Sequence, residues 1–151
     1  MSTEVVELRG VQVTNDRFQR ILTAMGKTLM SEIGFFLMSR IKERTSAGKD
    51  VDGTPFAPYS AKYAFFRQKK GRPIDKVDLF FSGSMMSSMT MEAEESSVRV
   101  FFMPTQDRSG TSNPAKAFWL NKKRQFFAIS EKDQQDISTV VLDALRGKAG
   151  F

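Results

Sequence analysis

The chain of 151 residues contains no cysteine and no histidine. The first absence excludes disulfides, thiolate metal sites and cysteine nucleophiles. The second excludes Ser-His-Asp and Cys-His catalysis, His-ligated zinc and the usual general base near neutral pH. Long apolar runs are missing too. None approaches the roughly 18–20 residues that span a bilayer, so no membrane partner is expected. The opening Met1-Ser2-Thr3-Glu4-Val5-Val6-Glu7 lacks the basic-then-apolar layout of a signal peptide, which predicts a chain kept in the cytoplasm where it is made. With so reduced a chemical kit, no enzymatic activity, cofactor or metal is expected.

What is present is ordinary globular composition, 40% hydrophobic and 26% charged, in a length typical of one domain. The net charge of +6 is unevenly placed. Residues 1–60 and 91–151 are each within one charge of balance, while residues 61–90 carry six basic and two acidic groups. The excess gathers at Arg67, Lys69, Lys70 and Arg72, in a stretch broken by Gly71 and Pro73. A local cationic patch on a loop suits an acidic partner, either a protein face or nucleic acid.

Periodicity divides the chain. Residues 1–15, with Val5, Val6, Leu8, Val11 and Val13, form an arm or an edge strand. Asn15 or Asp16 then caps a helix whose stripe Phe18, Leu22, Met25, Leu29, Ile33, Phe36 and Ile41 follows the 3.6-residue period to about Arg44. A continuous helix of that length is about 42 Å long, long enough to call for a partner along it, such as another subunit. Gly26 and Gly34 inside it each weaken it by about 1 kcal/mol relative to alanine. Residues 45–58 are dense in turn formers and end it. Ser60 caps a short helix to about Gln68, with Tyr63 and Phe66 (or Tyr59) on its buried side.

Residues 88–94 and 98–103 read as a hairpin around the acidic turn Glu94-Glu95-Ser96-Ser97. A helical turn carries Phe118 and Trp119. Ser130 and Asp133 have the spacing of a capping box ahead of Ile137, Val140, Val141, Ala144 and Leu145. Gly147 and Gly150 release a flexible tail over 147–151. The expectation is an α+β domain over residues 16–146: a long N-terminal helix and a C-terminal helix packed on a small antiparallel β-sheet, with short connecting helices.

Several patterns resemble chemical sites and fail on detail. Gly26-Lys27-Thr28 is set mid-helix, with Ile21 where a phosphate loop needs its first glycine. Asp50-Val51-Asp52-Gly53 starts like a calcium loop, but Thr54-Pro55-Phe56-Ala57-Pro58 supplies no further ligand; a plain turn using the Asp side chain for local bonds is expected. Glu92, Glu94 and Glu95 sit by a hairpin turn, where solvated charge is normal. The aromatic residues Tyr63, Phe65 and Phe66 beside the cationic patch leave single-stranded nucleic-acid binding as an alternative function.

Phenylalanine is abundant, 14 residues, and five times occurs in pairs: 35–36, 65–66, 80–81, 101–102 and 126–127. On a strand, neighbouring side chains face opposite ways, so one ring of a pair is left for a surface that another subunit covers. Phe35, Phe65, Phe80, Phe102, Trp119 and Phe126 are the candidates for subunit packing.

The ordered landmarks carry a resemblance. Gly53-Thr54-Pro55-Phe56-Ala57-Pro58-Tyr59-Ser60, a basic helix with Tyr63, then Leu79-Phe80-Phe81-Ser82-Gly83-Ser84-Met85-Met86-Ser87-Ser88, and finally Arg124-Gln125-Phe126-Phe127-Ala128-Ile129-Ser130-Glu131-Lys132-Asp133 resemble the phage virion morphogenesis (tail completion) family of tailed bacteriophages. Phe56 stands where that family has tryptophan, Ser82 where it has threonine and Ala128 where it has glycine. The resemblance covers roughly residues 16–146. It implies a structural virion protein acting in tail completion or head–tail joining at the neck. The implied assembly is a homo-oligomeric, hexameric ring in the virion, built in the host cytoplasm. The concentrated charge makes Arg67, Lys69, Lys70 and Arg72 the expected docking contacts, and the resemblance supplies their partners, tail terminator, tail tube or head-side connector proteins, near the DNA of the channel.

Overall fold

The computed structural model describes residues 5–9 and 16–149. Its elements run β1 (Val5–Arg9), α1 (Asp16–Ser46), α2 (Ala61–Lys69), α3 (Ser84–Ser87), β2 (Met89–Ala93), β3 (Ser97–Phe102), α4 (Asn113–Lys123) and α5 (Glu131–Ala149). This is the expected α+β arrangement, with long helices near both ends and a small antiparallel sheet. The strand order is β1-β3-β2. β1 runs antiparallel to β3, with Val5 opposite Phe101 and Arg9 opposite Ser97, so residues 5–9 are an edge strand. Val11, Val13, Asn15 and Gly150 lie outside the described residues. The chain divides into two compact units, each with its own core.

One, the sheet unit, comprises Val5–Arg40, Met89–Phe101 and the chain from Ile129 onward. Its core is aliphatic and follows the repeat of each element: Leu29, Ile33 and Leu37 of α1, Val98 and Val100 of β3, Ile137, Val141 and Leu145 of α5. The turn between β2 and β3 is closed by Glu94 N–H donating to the Ser97 carbonyl at 2.8 Å. The two glycines of α1 act differently from the uniform weakening expected of them. Gly26, at φ 24° and ψ −110°, is not helical, so α1 is two helical segments joined by a kink. Gly34 is helical, and a Cβ there would lie 2.8 Å from Val98 Cγ2 and 2.9 Å from Met91 Sδ. The missing side chain lets helix and hairpin approach, which offsets the propensity cost.

α5 begins at the expected capping box. Ser130 Oγ accepts from the Asp133 N–H at 3.0 Å, and Asp133 Oδ2 accepts from the Ser130 N–H at 2.9 Å. Arg40 of α1 ties down the same end of α5, with Nη2 2.9 Å from Asp136 Oδ2 and Nε 3.6 Å from Asp133 Oδ1. The helix continues through Gly147 to Ala149 rather than stopping at the first of the two glycines.

The other, the loop unit, comprises Ile41–Ser88 and Phe102–Ala128. Its core is more aromatic, with Phe56, Phe102, Phe126 and Phe127 among Ile41, Val77, Met85 and Ala117. α3 packs on α4, where buried Asn113 donates from Nδ2 to Ser84 Oγ (3.0 Å) and Thr105 Oγ1 (2.9 Å). Most of the unit is loop, and one five-residue loop is used twice: Asp50-Val51-Asp52-Gly53-Thr54 and Asp107-Arg108-Ser109-Gly110-Thr111. In each, the first Asp accepts through Oδ1 from the third and fifth backbone N–H groups at 2.8–3.0 Å. In each, the glycine sits at φ +81° and a single bridge flanks the loop, Lys49 with Pro55 and Gln106 with Ser112. The carboxylate of Asp50 is therefore spent on its own backbone, as a plain turn requires. The second copy is the one that the sequence reading passed over.

Candidate functional site

The cationic stretch lies in the loop unit, and the structure splits it in two. Ser60 caps α2, its Oγ accepting from the Tyr63 N–H at 3.3 Å. One turn after Tyr63 comes Arg67, which shares its face of the helix. Arg67 is only 1% exposed, so it is not the surface cation that the charge pattern predicts. Its Nε donates to the Pro73 carbonyl (3.0 Å), its Nη1 to the Phe80 carbonyl (2.9 Å), and its Nη2 lies 3.7 Å from Asp78 Oδ1. The guanidinium stands 4.6 Å from the Tyr59 ring centre and 6.0 Å from those of Tyr63 and Phe81. The reason is local. The loop after α2 has carbonyls without strand partners, and a planar fork of donors bedded on rings satisfies two of them at once.

Asp78 completes the arrangement. Its Oδ1 accepts from the Phe80 N–H at 3.0 Å and from the Tyr59 hydroxyl at 3.5 Å. Between Asp78 and Phe80, Leu79 is held at φ 56°, a region that bulky residues rarely occupy. Hydrogen bonds on both sides hold that strain in place. Burial pushes the Tyr59 phenol above its ordinary pKa, against the opposing pull of Arg67.

Lys69, Lys70 and Arg72 are exposed. Lys69 ends α2 and Lys70 is its C-cap, so the patch starts on a helix end and only Arg72 lies beyond it in the loop. Lys69 Nζ lies 4.9 Å from the Phe65 ring centre, and the Arg72 guanidinium lies 5.6 Å from that of Phe81.

Of the six rings expected to face a neighbour, Phe35, Phe65, Phe80 and Trp119 are 46–63% exposed. Phe102 and Phe126 are not on the surface. Phe102 continues the inward series Val98, Val100 along β3, and its ring packs 6.3 Å from Phe126 and 4.8 Å from Phe127. Both belong to the core of the loop unit. Tyr63 and Phe66, expected on the buried side of α2, are exposed instead. They extend an aromatic layer: Tyr59 meets Tyr63 edge-on, Tyr63 stacks on Phe66 at 6.0 Å and Phe66 on Phe81 at 5.7 Å.

This layer and the exposed face of α4, with Trp119 and Lys123, line an open hollow of about 570 Å³. The hollow joins residues far apart in the chain, and the only sequence signal for it is the spacing of Tyr59, Tyr63 and Phe66. Among the described residues no three acidic side chains gather to hold a metal, and no helix is long and apolar enough to cross a membrane. The arrangement is suited to binding, with cations, rings and a preformed concavity in one unit.

The sequence model of the phage virion morphogenesis family matches residues 6–146. No curated protein and no solved structure matches the chain.

Proposed function

The chain belongs to the phage virion morphogenesis family, and from that premise we propose that it is a structural, non-enzymatic protein of tail completion and head–tail joining in a tailed bacteriophage. It works at the neck as a closed ring of six copies, following the sixfold axis of the tail. The family match across residues 6–146 carries this reading. Two features of the surface support it. Phe35, Phe65 and Phe80 expose large rings of the kind that a neighbouring subunit covers. Lys69, Lys70 and Arg72 form an exposed cationic group free of the structural duty that Arg67 performs.

In this reading, Lys69, Lys70 and Arg72 dock onto an acidic rim of a tail terminator, tail tube or head-side connector protein. The test is a phage carrying all three as alanine. Exposed charges contribute little to stability, so the purified variant should keep its circular dichroism and melt within about 0.5 kcal/mol of the parent. Electron microscopy of the lysate should show separate heads and tails. Normal yields of joined particles would overturn the docking role. Duplex DNA binding that falls steeply with salt and is lost in the variant would replace it with a nucleic-acid role. Native mass measurement checks the ring, and a monomer within assembled necks would end it.

A further inference from the structure

The hollow of the loop unit has a more specific chemistry than the cationic patch. Its lining includes Arg67, Lys116, Lys123 and Arg124 and no acidic residue. Three of these cations are already engaged. Arg67 is buried on the loop carbonyls. Arg124 is buried and donates to the carbonyls of Ala57 and Pro58. Lys116 is paired with Asp107. Lys123, in the last turn of α4, is exposed. The remaining lining is dominated by Tyr63, Phe66, Phe81 and Trp119. One available ammonium beside a broad aromatic floor is complementary to one carboxylate beside an apolar side chain.

We propose that this hollow binds a short segment of a partner protein in which an acidic residue adjoins an aromatic or aliphatic one, the acid meeting Lys123 and the apolar side chain lying between α2 and Trp119. The partner's being a virion protein rests on the function proposed above; the chemistry of the segment does not. A nucleic-acid strand fits less well. It presents a phosphate on every nucleotide and is held by a track of free cations and open ring faces. Here Lys123 is the available lysine of the lining, Arg72 and Lys122 lie against the rings of Phe81 and Trp119 (5.6 and 5.2 Å), and Tyr63, Phe66 and Phe81 already cover one another's faces, so open ring faces for successive bases are lacking. The floor is also preorganised: the hydrogen bonds of Arg67 hold the Phe80 segment to α2 before anything binds, which lowers the ordering cost of association.

Trp119 is the sole tryptophan of the chain, so its fluorescence reports occupancy directly. The probe is a blocked peptide of sequence Gly-Glu-Phe-Glu-Phe-Gly titrated into the whole chain. A saturable change in emission is expected. Replacing Glu by Lys or Phe by Ala in the peptide should weaken binding at least tenfold, as should Lys123→Glu or Phe66→Ala in a chain whose circular dichroism is unchanged. Lys123→Glu should in turn bind the Lys-containing peptide better than the parent does. No saturable change at millimolar peptide, equal binding of the Lys-containing peptide, or tighter saturation by a dodecamer of thymidylate would each overturn the proposal. Phage variants separate it from the assembly role. If Lys69, Lys70 and Arg72 prove essential while Lys123→Glu particles build normally, the hollow is not a virion docking site and the assembly role stands. If the peptide binds as expected and none of the variants impairs assembly, the assembly role falls and the hollow remains a peptide site.

Discussion

In the sheet unit, side chains are buried by periodicity: Leu29, Ile33, Leu37, Ile137, Val141 and Leu145 are inward because helices repeat every 3.6 residues, and Val98 and Val100 because strands repeat every two. In the loop unit, much of the backbone has no such repeat, and three arginines supply the missing order. Arg44 donates to the carbonyls of Phe126 and Ala128, Arg67 to those of Pro73 and Phe80, and Arg124 to those of Ala57 and Pro58. This contrast bears on where a surface for partners can be built. A core closed by aliphatic repeats leaves few large apolar groups outside. A core closed by guanidinium forks leaves its rings partly free: among the described side chains the loop unit exposes Tyr63, Phe65, Phe66, Phe80 and Trp119, and the sheet unit exposes Phe35.

Arg67→Ala puts the contrast between the two units to its hardest test. It strips two loop carbonyls and Asp78 of a buried donor, and losing one side of a buried charged pair costs about 3–5 kcal/mol. A fall in melting temperature of roughly 6–20 °C follows for a chain of this size. Amide exchange should rise in residues 73–81 first. Arg67→Lys should rescue little, because one ammonium cannot serve both carbonyls. A variant that melts with the parent would show that the loop unit is held by its rings alone.

Gly34→Ala tests the other side. The added methyl meets Val98 and Met91 at less than 3 Å, and overpacking of this kind costs about 1–3 kcal/mol despite the better helix propensity of alanine. Stabilisation, measured by urea unfolding, would mean that the helix and hairpin part easily. A smaller loss, about 1 kcal/mol, is expected from Ser130→Ala, which removes half of the capping box of α5. An unchanged urea midpoint would show that Asp133 and Arg40 alone secure that end.

The mildest effect is tied to pH and to the loop unit. The Lys116 ammonium, with donors from Ser109 and Thr111, holds the Asp107 carboxyl far below the usual carboxylate range. A group whose pKa is depressed by folding stabilises above its unfolded pKa, about 3.9, and that contribution fades as the pH falls below it. Asp107→Asn should therefore melt below the parent near neutral pH, and the two should converge as the pH is lowered from about 4. Parallel melting curves across that range would show that the second loop owes nothing to its charge.

Much of the sheet unit was legible in the sequence. Ser130 and Asp133 announce their helix because capping depends on residues three apart, and the hairpin follows from alternation on either side of an acidic turn. Residues 50–54 read as a turn for the same reason: an Asp side chain reaches its own backbone. Each depends on neighbours within about one turn of chain. The candidate site was legible only as a concentration of charge and rings. Whether Arg67 would be a surface cation or a buried staple depended on carbonyls 6 and 13 residues away. Which rings face out depended on packing from distant segments rather than on alternation, so Phe102 and both Phe126 and Phe127 went to the core while Phe65, Phe66 and Phe80 stayed outside. Local hydrogen bonding is written in short spacings, so residues a few positions apart were enough to specify it. The burial of a charge or a ring is settled by which distant groups arrive beside it once the chain has folded.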